Sequence, residues 1–162
     1  MRQHSPRPDR LRSRAGACAL VALLAGGALP TAAESDLATL IDARQTRFEE
    51  MGEAFKVFRD ELRSDEPEVA VMPAAAEVIV SYAGHISEWF PAGSGPESGL
   101  ETDALAYIWK NTDKFARIDA DLVPAAAALQ AAVATGEVGA ITAEFSTVGR
   151  TCKACHDSFR AD

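Results

Sequence analysis

The sequence predicts an all-α protein, an antiparallel four-helix bundle. Three observations carry that expectation. Four segments repeat apolar residues at spacings of three and four, and short breaks rich in Pro, Gly or acidic residues separate them. No stretch shows the period-two alternation that a half-buried strand requires.

The first segment runs from about Ser35 to Arg63. Leu37, Ile41, Arg44, Phe48, Met51, Phe55, Phe58 and Leu62 are spaced 4, 3, 4, 3, 4, 3 and 4, a heptad-type seam along one helix face. Asp65, Glu66 and Pro67 break it. The second segment runs from about Pro67 to Trp89, with Val69, Met72, Ala76, Ile79, Ala83, Ile86 and Phe90 on its seam. Pro73 sits inside that pattern, so it either kinks the helix or moves its start to about Met72. Residues 91–96, Pro-Ala-Gly-Ser-Gly-Pro, form a loop by composition. Thr102 and Asp103 are placed to cap a short helical turn carrying Ile108 and Trp109.

The third long helix runs from about Thr112 to Ala134 on Phe115, Ile118, Leu122, Ala125, Leu129 and Ala132. Asn111 is a candidate N-cap, Gly136 a C-terminal stop, and Pro124 predicts a bend. Ala125 to Ala128 permit close helix approach. The fourth helix, about Glu137 to Arg160, carries Val138, Ile141, Phe145, Val148, Cys152, Cys155 and Phe159 on its seam. Both cysteines therefore face the bundle.

Residues 1–33 read as a cleaved secretory leader. Arg2, Arg7, Arg10, Arg12 and Arg14 precede an apolar run from Ala17 to Leu29, and Thr31, Ala32 and Ala33 supply small residues for cleavage. The run is too short to span a bilayer comfortably. Cys18 opens the run rather than following it, which argues against lipidation. Without an adjacent arginine pair, export of the unfolded chain is expected, with the periplasm as destination. Residues 34–162 then form one domain. Removing the leader's five arginines and one aspartate from 16 basic and 24 acidic residues leaves 11 and 23, a net charge of −12 with His neutral. Such a surface argues against nucleic acid and anionic membranes as partners. No second anchoring segment is expected.

Two cysteines remain, Cys152 and Cys155, in the run Cys-Lys-Ala-Cys-His ending at His156. This is C-x-x-C-H, the attachment signature of a c-type haem. On a helix, positions i, i+3 and i+4 share a face. Both thiols can reach the vinyl groups of one porphyrin, and His156 can place an imidazole nitrogen on the iron. Two other readings use the same residues. A thiol-redox pair would need a βαβ setting, which the sequence lacks. A zinc site would have to recruit His85 to Cys152, Cys155 and His156.

Arg44 stands where the seam calls for an apolar residue. A buried guanidinium needs a partner, and a haem propionate can be gripped by two of its N–H groups. The competing reading lets Arg44 extend past the bundle end over apolar surface. Gln45 beside it can add a hydrogen bond. Phe48 lies one turn on, about 6 Å along the axis, and cannot ligate iron. It would shield an open coordination position, or simply pack the core. Met51 offers a thioether and hence a six-coordinate electron-transfer haem, or serves as core filler. Met72 is a fainter candidate ligand, and His85 is expected to face solvent. Arg160 is placed near His156 or against acids such as Asp157, and Trp109 is expected to pack the bundle. Nothing resembles a nucleophile–base pair, a phosphate-binding glycine loop or a carboxylate dyad, so no enzyme is expected.

Taken together, the chain resembles the cytochrome c′ family, the class II c-type cytochromes, over essentially all of residues 34–162. The resemblance rests on Arg44, Gln45, Phe48, Gly52 and Lys56 near the start, on Ile108, Trp109 and Phe115 in the middle, and on Val148, Gly149 and the run from Cys152 to Arg160 at the end. It implies one haem c between the first and last helices, a homodimer and a periplasmic location. It places Arg44, Gln45 and the stretch reaching Asp103 near the haem, and Arg160 near the proximal histidine. A non-ligating residue at the Phe48 position resembles the five-coordinate members that bind NO and CO. Electron transfer with a periplasmic redox partner uses the same fold.

Overall fold

The computed structural model describes residues 32–161. The leader expected over residues 1–33 lies outside them, apart from its last two positions. Five α-helices account for most of what is described. They are α1 (Ala32–Glu61), α2 (Met72–Tyr82), α3 (Tyr107–Lys110), α4 (Thr112–Thr135) and α5 (Val138–Phe159). The four long ones form the expected antiparallel bundle, and α3 is a single turn in the connection between α2 and α4.

The seams are the core. Ile41, Phe58, Met72, Ile79, Leu122, Leu129, Ile141 and Val148 are all buried. Of the expected seam residues only Val138, the first residue of α5, falls among the exposed ones. The buried stripe is wider than the seam. Ala54, Ala75, Ala126 and Val133 join it one register away, because four helices must close on each other along more than one edge. By length and composition alone α4 is apolar enough to cross a membrane, but its Phe115, Leu122 and Leu129 are covered by the bundle.

The second helix is shorter than the periodicity predicts. Its true start is Met72, with Pro73 in the first turn, and the residues before it form a 3₁₀ turn (Val69–Val71). Proline is tolerated there because a first-turn N–H has no intrahelical partner. At its other end the helix stops at Tyr82, and the seam residue Ile86 falls in a 3₁₀ turn (Ile86–Trp89) that buries Trp89 in place of Phe90. Gly84 makes the break, with φ +84°. A Cβ at Gly84 would meet Val123 Cγ2 at 2.8 Å, so glycine also lets this turn dock against α4.

Two expected caps are not made. Asn111 occupies the N-cap of α4, but its side-chain amide donates back to the Tyr107 carbonyl. The turn α3 is capped by neither Thr102 nor Asp103. Thr102 Oγ1 instead accepts the Ala104 N–H at 3.2 Å. Gly136 does end α4, at φ +74°. Helix α4 continues through Pro124 without interruption.

Helices α1 and α2, α2 and α4, and α4 and α5 pack backbone to backbone. On the fourth side, α1 and α5 meet through Phe55 and Phe58 against Phe145, with ring centroids 4.2 and 5.5 Å away. Gly149 leaves room for the Phe55 ring there. This aromatic contact closes one end of the bundle. Toward the other end the space between α1 and α5 is open.

Candidate functional site

That space is a cavity of ≈ 940 Å³, at the upper end of the range for cofactor pockets. Phe48, Met51, Gly52 and Phe55 line it from α1, and Val148, Gly149, Cys152, Cys155 and His156 from α5. The loop from Glu101 to Ala104 forms its rim. The helical spacing of the C-x-x-C-H run thus puts both thiols and the imidazole on one wall. The two cysteines are unbridged and half-buried. A slot with Phe48, Met51, Phe55 and Val148 in its walls, charged groups at its rim, and two free thiols and an imidazole on one side fits a covalently held haem.

The electrostatics of that wall are set by burial. Both thiols are pushed up, Cys155 to about 11, first by desolvation and then by the charges of Cys152 and Asp119. The His156 imidazole is pushed down by desolvation and by the Arg160 guanidinium, against an opposing pull from Asp157. Burial thus works against the low-pKa thiolate character that thiol-redox catalysis uses. The zinc reading fares no better. His85 is exposed and pairs with Glu88 at 3.2 Å, and the described residues contain no cluster of three metal-ligating side chains.

Arg44 is 2 % exposed, so it does not extend past the bundle end. Its guanidinium holds the loop between α2 and α3. It donates to Ser94 Oγ and Ser94 O, both at 3.2 Å, to the Trp89 carbonyl at 3.5 Å and to Thr102 Oγ1 at 2.8 Å. Its carbon CZ lies 4.3 Å from the Phe90 ring centroid. All these partners are neutral. None of the ion pairs among the described residues includes Arg44, and it borders the cavity. Burial lowers its pKa, yet a guanidinium stays charged.

The remaining expected residues gather at the same rim. Gln45 donates its amide to the Glu101 carbonyl at 3.3 Å. Arg160 does not pair with Asp157, because Lys153 takes that carboxylate one helical turn away at 2.6 Å. Arg160 instead reaches Asp103 at 3.7 Å. Backbone bonds from Leu105 N to Phe159 O and from Ala161 N to Asp103 O tie this loop to the end of α5. Phe48 stands edge-on to Trp89 at 5.4 Å and tilted to Phe90 at 6.2 Å, so the loop clamped by Arg44 also backs Phe48. Trp109 packs the loop as expected, donating Nε1–H to the Phe90 and Pro91 carbonyls. A Cβ at Gly95 would lie 2.6 Å from its ring.

Sequence reasoning missed Asp119. It is 5 % exposed and accepts the Gly84 N–H at 3.1 Å, the Ser87 N–H at 2.9 Å and the Ser87 hydroxyl. It lines a smaller recess beside Cys152, Cys155 and His156. The signal was there: Asp119 lies four residues after Phe115 and three before Leu122, a charged residue on the core face, as Arg44 is on α1.

The family profile described as Cytochrome C′ matches residues 39–160. A cytochrome c′ of Rhodospirillum rubrum is 31% identical over 145 residues, covering 88% of this chain and 97% of that protein. Among solved structures, a cytochrome c′ with an unusual ligand-controlled dimer dissociation aligns with TM-score 0.71 and 28% identity, over 78% of this chain and 97% of the other. The nitric oxide complex of a cytochrome c prime variant from Alcaligenes xylosoxidans aligns with TM-score 0.67 and 25% identity, over 80% and 97%.

Proposed function

This chain belongs to the cytochrome c′ family, and we propose that Cys152, Cys155 and His156 hold its haem c, with His156 on the iron and Phe48 on the opposite side. Family members carry one covalently attached haem c. When bound, the haem supplies an iron that takes a diatomic ligand such as NO or CO and that exchanges one electron.

The observation that carries the reading is the pairing of walls. The C-x-x-C-H face of α5 looks across one cavity at a phenyl ring on α1. Phe48 excludes water and offers no lone pair, so the position it faces is left to a small ligand. Trp89 and Phe90 hold that ring from behind. Arg44, a buried cation without a carboxylate among its partners, supplies the counter-charge for a propionate. Gln45, Asp103 and Arg160 complete the rim, and Arg160 keeps positive charge near the His156 imidazole.

The function is then a periplasmic haem protein that binds NO or CO, exchanges electrons with a redox partner, or does both, and that assembles as a homodimer. One other reading has an observation behind it. Met51 borders the same cavity, and its thioether would make a six-coordinate electron carrier.

The test is titration of the reduced, purified protein with CO and with NO, followed optically. Saturable spectral shifts with both gases, and haem colour that stays with the denatured chain, are expected. A spectrum indifferent to both gases would remove the open-site reading in favour of Met51.

A further inference from the structure

Away from the C-x-x-C-H wall, α1 and α2 assemble a second chemical arrangement. The chain has two tyrosines, in opposite surroundings. Tyr82, the last residue of α2, donates its phenolic O–H to the Glu50 carboxylate on α1. Its ring stands edge-on to Trp89, with centroids 5.3 Å apart at 87°. Trp89 is 7% exposed and touches Phe48, which faces the cavity. Tyr107 is 44% exposed and stacks on Phe159. The Lys114 ammonium lies 5.8 Å from its ring centroid. A carboxylate thus holds one phenol, with the Arg47 guanidinium also acting on it, and an ammonium lies over the other ring.

We propose that Tyr82, with Glu50 as its proton acceptor and Trp89 as its electronic contact to the cavity, is a one-electron donor built into the fold and the site at which nitrogen dioxide nitrates the protein. The inference stands on these side chains and not on the haem reading.

A phenol that loses an electron becomes strongly acidic. Oxidation is therefore favoured where a base can take the proton in the same event. Glu50 already accepts that hydrogen bond, which also holds the Tyr82 pKa above its usual value until an electron leaves. Nitrogen dioxide, the radical that nitric oxide yields with oxygen, takes one electron and departs as nitrite. The phenolic proton passes to Glu50, leaving a neutral Tyr82 radical. A second nitrogen dioxide forms a C–N bond at the ring carbon beside the oxygen. The displaced ring proton moves to that oxygen, and Glu50 returns its proton to water. The sum is one tyrosine and two nitrogen dioxide giving 3-nitrotyrosine, nitrite and a proton.

Trp89 extends this reach inward. The Arg47 guanidinium lies 5.2 Å from its ring centroid and disfavours a positive charge resting on the indole. An electron that nitrogen dioxide takes from Trp89 is therefore replaced from Tyr82, where the proton has somewhere to go. At Tyr107 the Lys114 ammonium opposes oxidation, and among the described residues no carboxylate accepts a hydrogen bond from the phenol.

The experiment exposes the haem-loaded protein to nitrogen dioxide, generated by steady radiolysis of nitrous-oxide-saturated nitrite, and maps nitration by peptide mass spectrometry. Tyr82 is expected to be nitrated on the order of tenfold more than the better exposed Tyr107, the rate equivalent of one charge-assisted hydrogen bond. Glu50→Gln should remove most of that preference with an unchanged far-ultraviolet spectrum. Trp89→Phe should lower the Tyr82 yield severalfold. Equal or greater nitration of Tyr107 in the wild-type protein would overturn the proposal without any variant. So would an unchanged Tyr82 yield in folded Glu50→Gln, and an unchanged yield in Trp89→Phe would overturn the role of Trp89.

Discussion

Asp119 on α4 accepts the backbone N–H of Ser87 at 2.9 Å, joining the turn that ends α2 to a helix that begins well after it. The same carboxylate holds the Gly84 N–H and the Ser87 hydroxyl. Two residues later the turn delivers Trp89 to the back of Phe48. A buried charge on one helix thus positions the lid of the cavity on another.

Asp119→Ala leaves these donors unsatisfied in a buried place and should cost about 2–4 kcal/mol. Asp119→Asn keeps an acceptor and should cost roughly half of that. Gly84→Ala, forced into positive φ against Val123, should cost about 1–2 kcal/mol. Denaturant unfolding of the haem-loaded protein measures all three.

Arg44→Leu removes every bond that clamps the loop at Trp89, Ser94 and Thr102. The haem should remain covalently attached, stability should fall by about 2–4 kcal/mol, and the reduction potential should move because the proposed propionate contact is lost. Arg44→Lys should recover little, since an ammonium lacks the planar fork and the face that lies on Phe90. An unchanged potential in Arg44→Leu would count against the propionate contact.

Phe58 is 0% exposed at the closed end of the bundle and does not line the cavity. Phe58→Ala should destabilise by about 3–5 kcal/mol. CO affinity should stay at the wild-type value, because the aromatic contact with Phe145 serves the bundle and not the site. Parallel unfolding and CO titration would separate the two effects.

The fold was legible because packing of four helices needs a periodic apolar face, and periodicity is a property of sequence. The C-x-x-C-H run was legible because its spacing is chemical. Arg44 was visible as a break in the seam, but its partners were not. They are hydroxyls and carbonyls of Ser94, Thr102 and Trp89, in a loop whose residues obey no period. Asp119 escaped because only one residue per turn of α4 was assigned to the core, and Ile118 filled that place. The premature end of α2 turns on Gly84, whose positive φ no apolar repeat encodes. The pairing of Arg160 with Asp103 depends on where the loop comes back to α5, which a local reading would assign to Asp157.

Phe48→Met should place a thioether where the wild-type protein has only a ring. A shift of the visible spectrum toward six-coordinate low spin, with CO binding slowed, is expected. An unchanged high-spin spectrum would mean that the residue does not face the iron. Met51→Leu should leave the wild-type spectrum as it is, because the open-site account assigns Met51 to packing against the core and not to ligation.

The central claim is an iron held by His156 alone among the side chains, with Phe48 opposite. It is tested most directly by the spin state of the purified wild-type protein, read from absorption and electron paramagnetic resonance spectra of the oxidised form and repeated after reduction. The account predicts high-spin, five-coordinate signatures in both states. Low-spin, six-coordinate signatures in both would contradict it and would put a side chain, Met51 first, in the position assigned to a diatomic ligand.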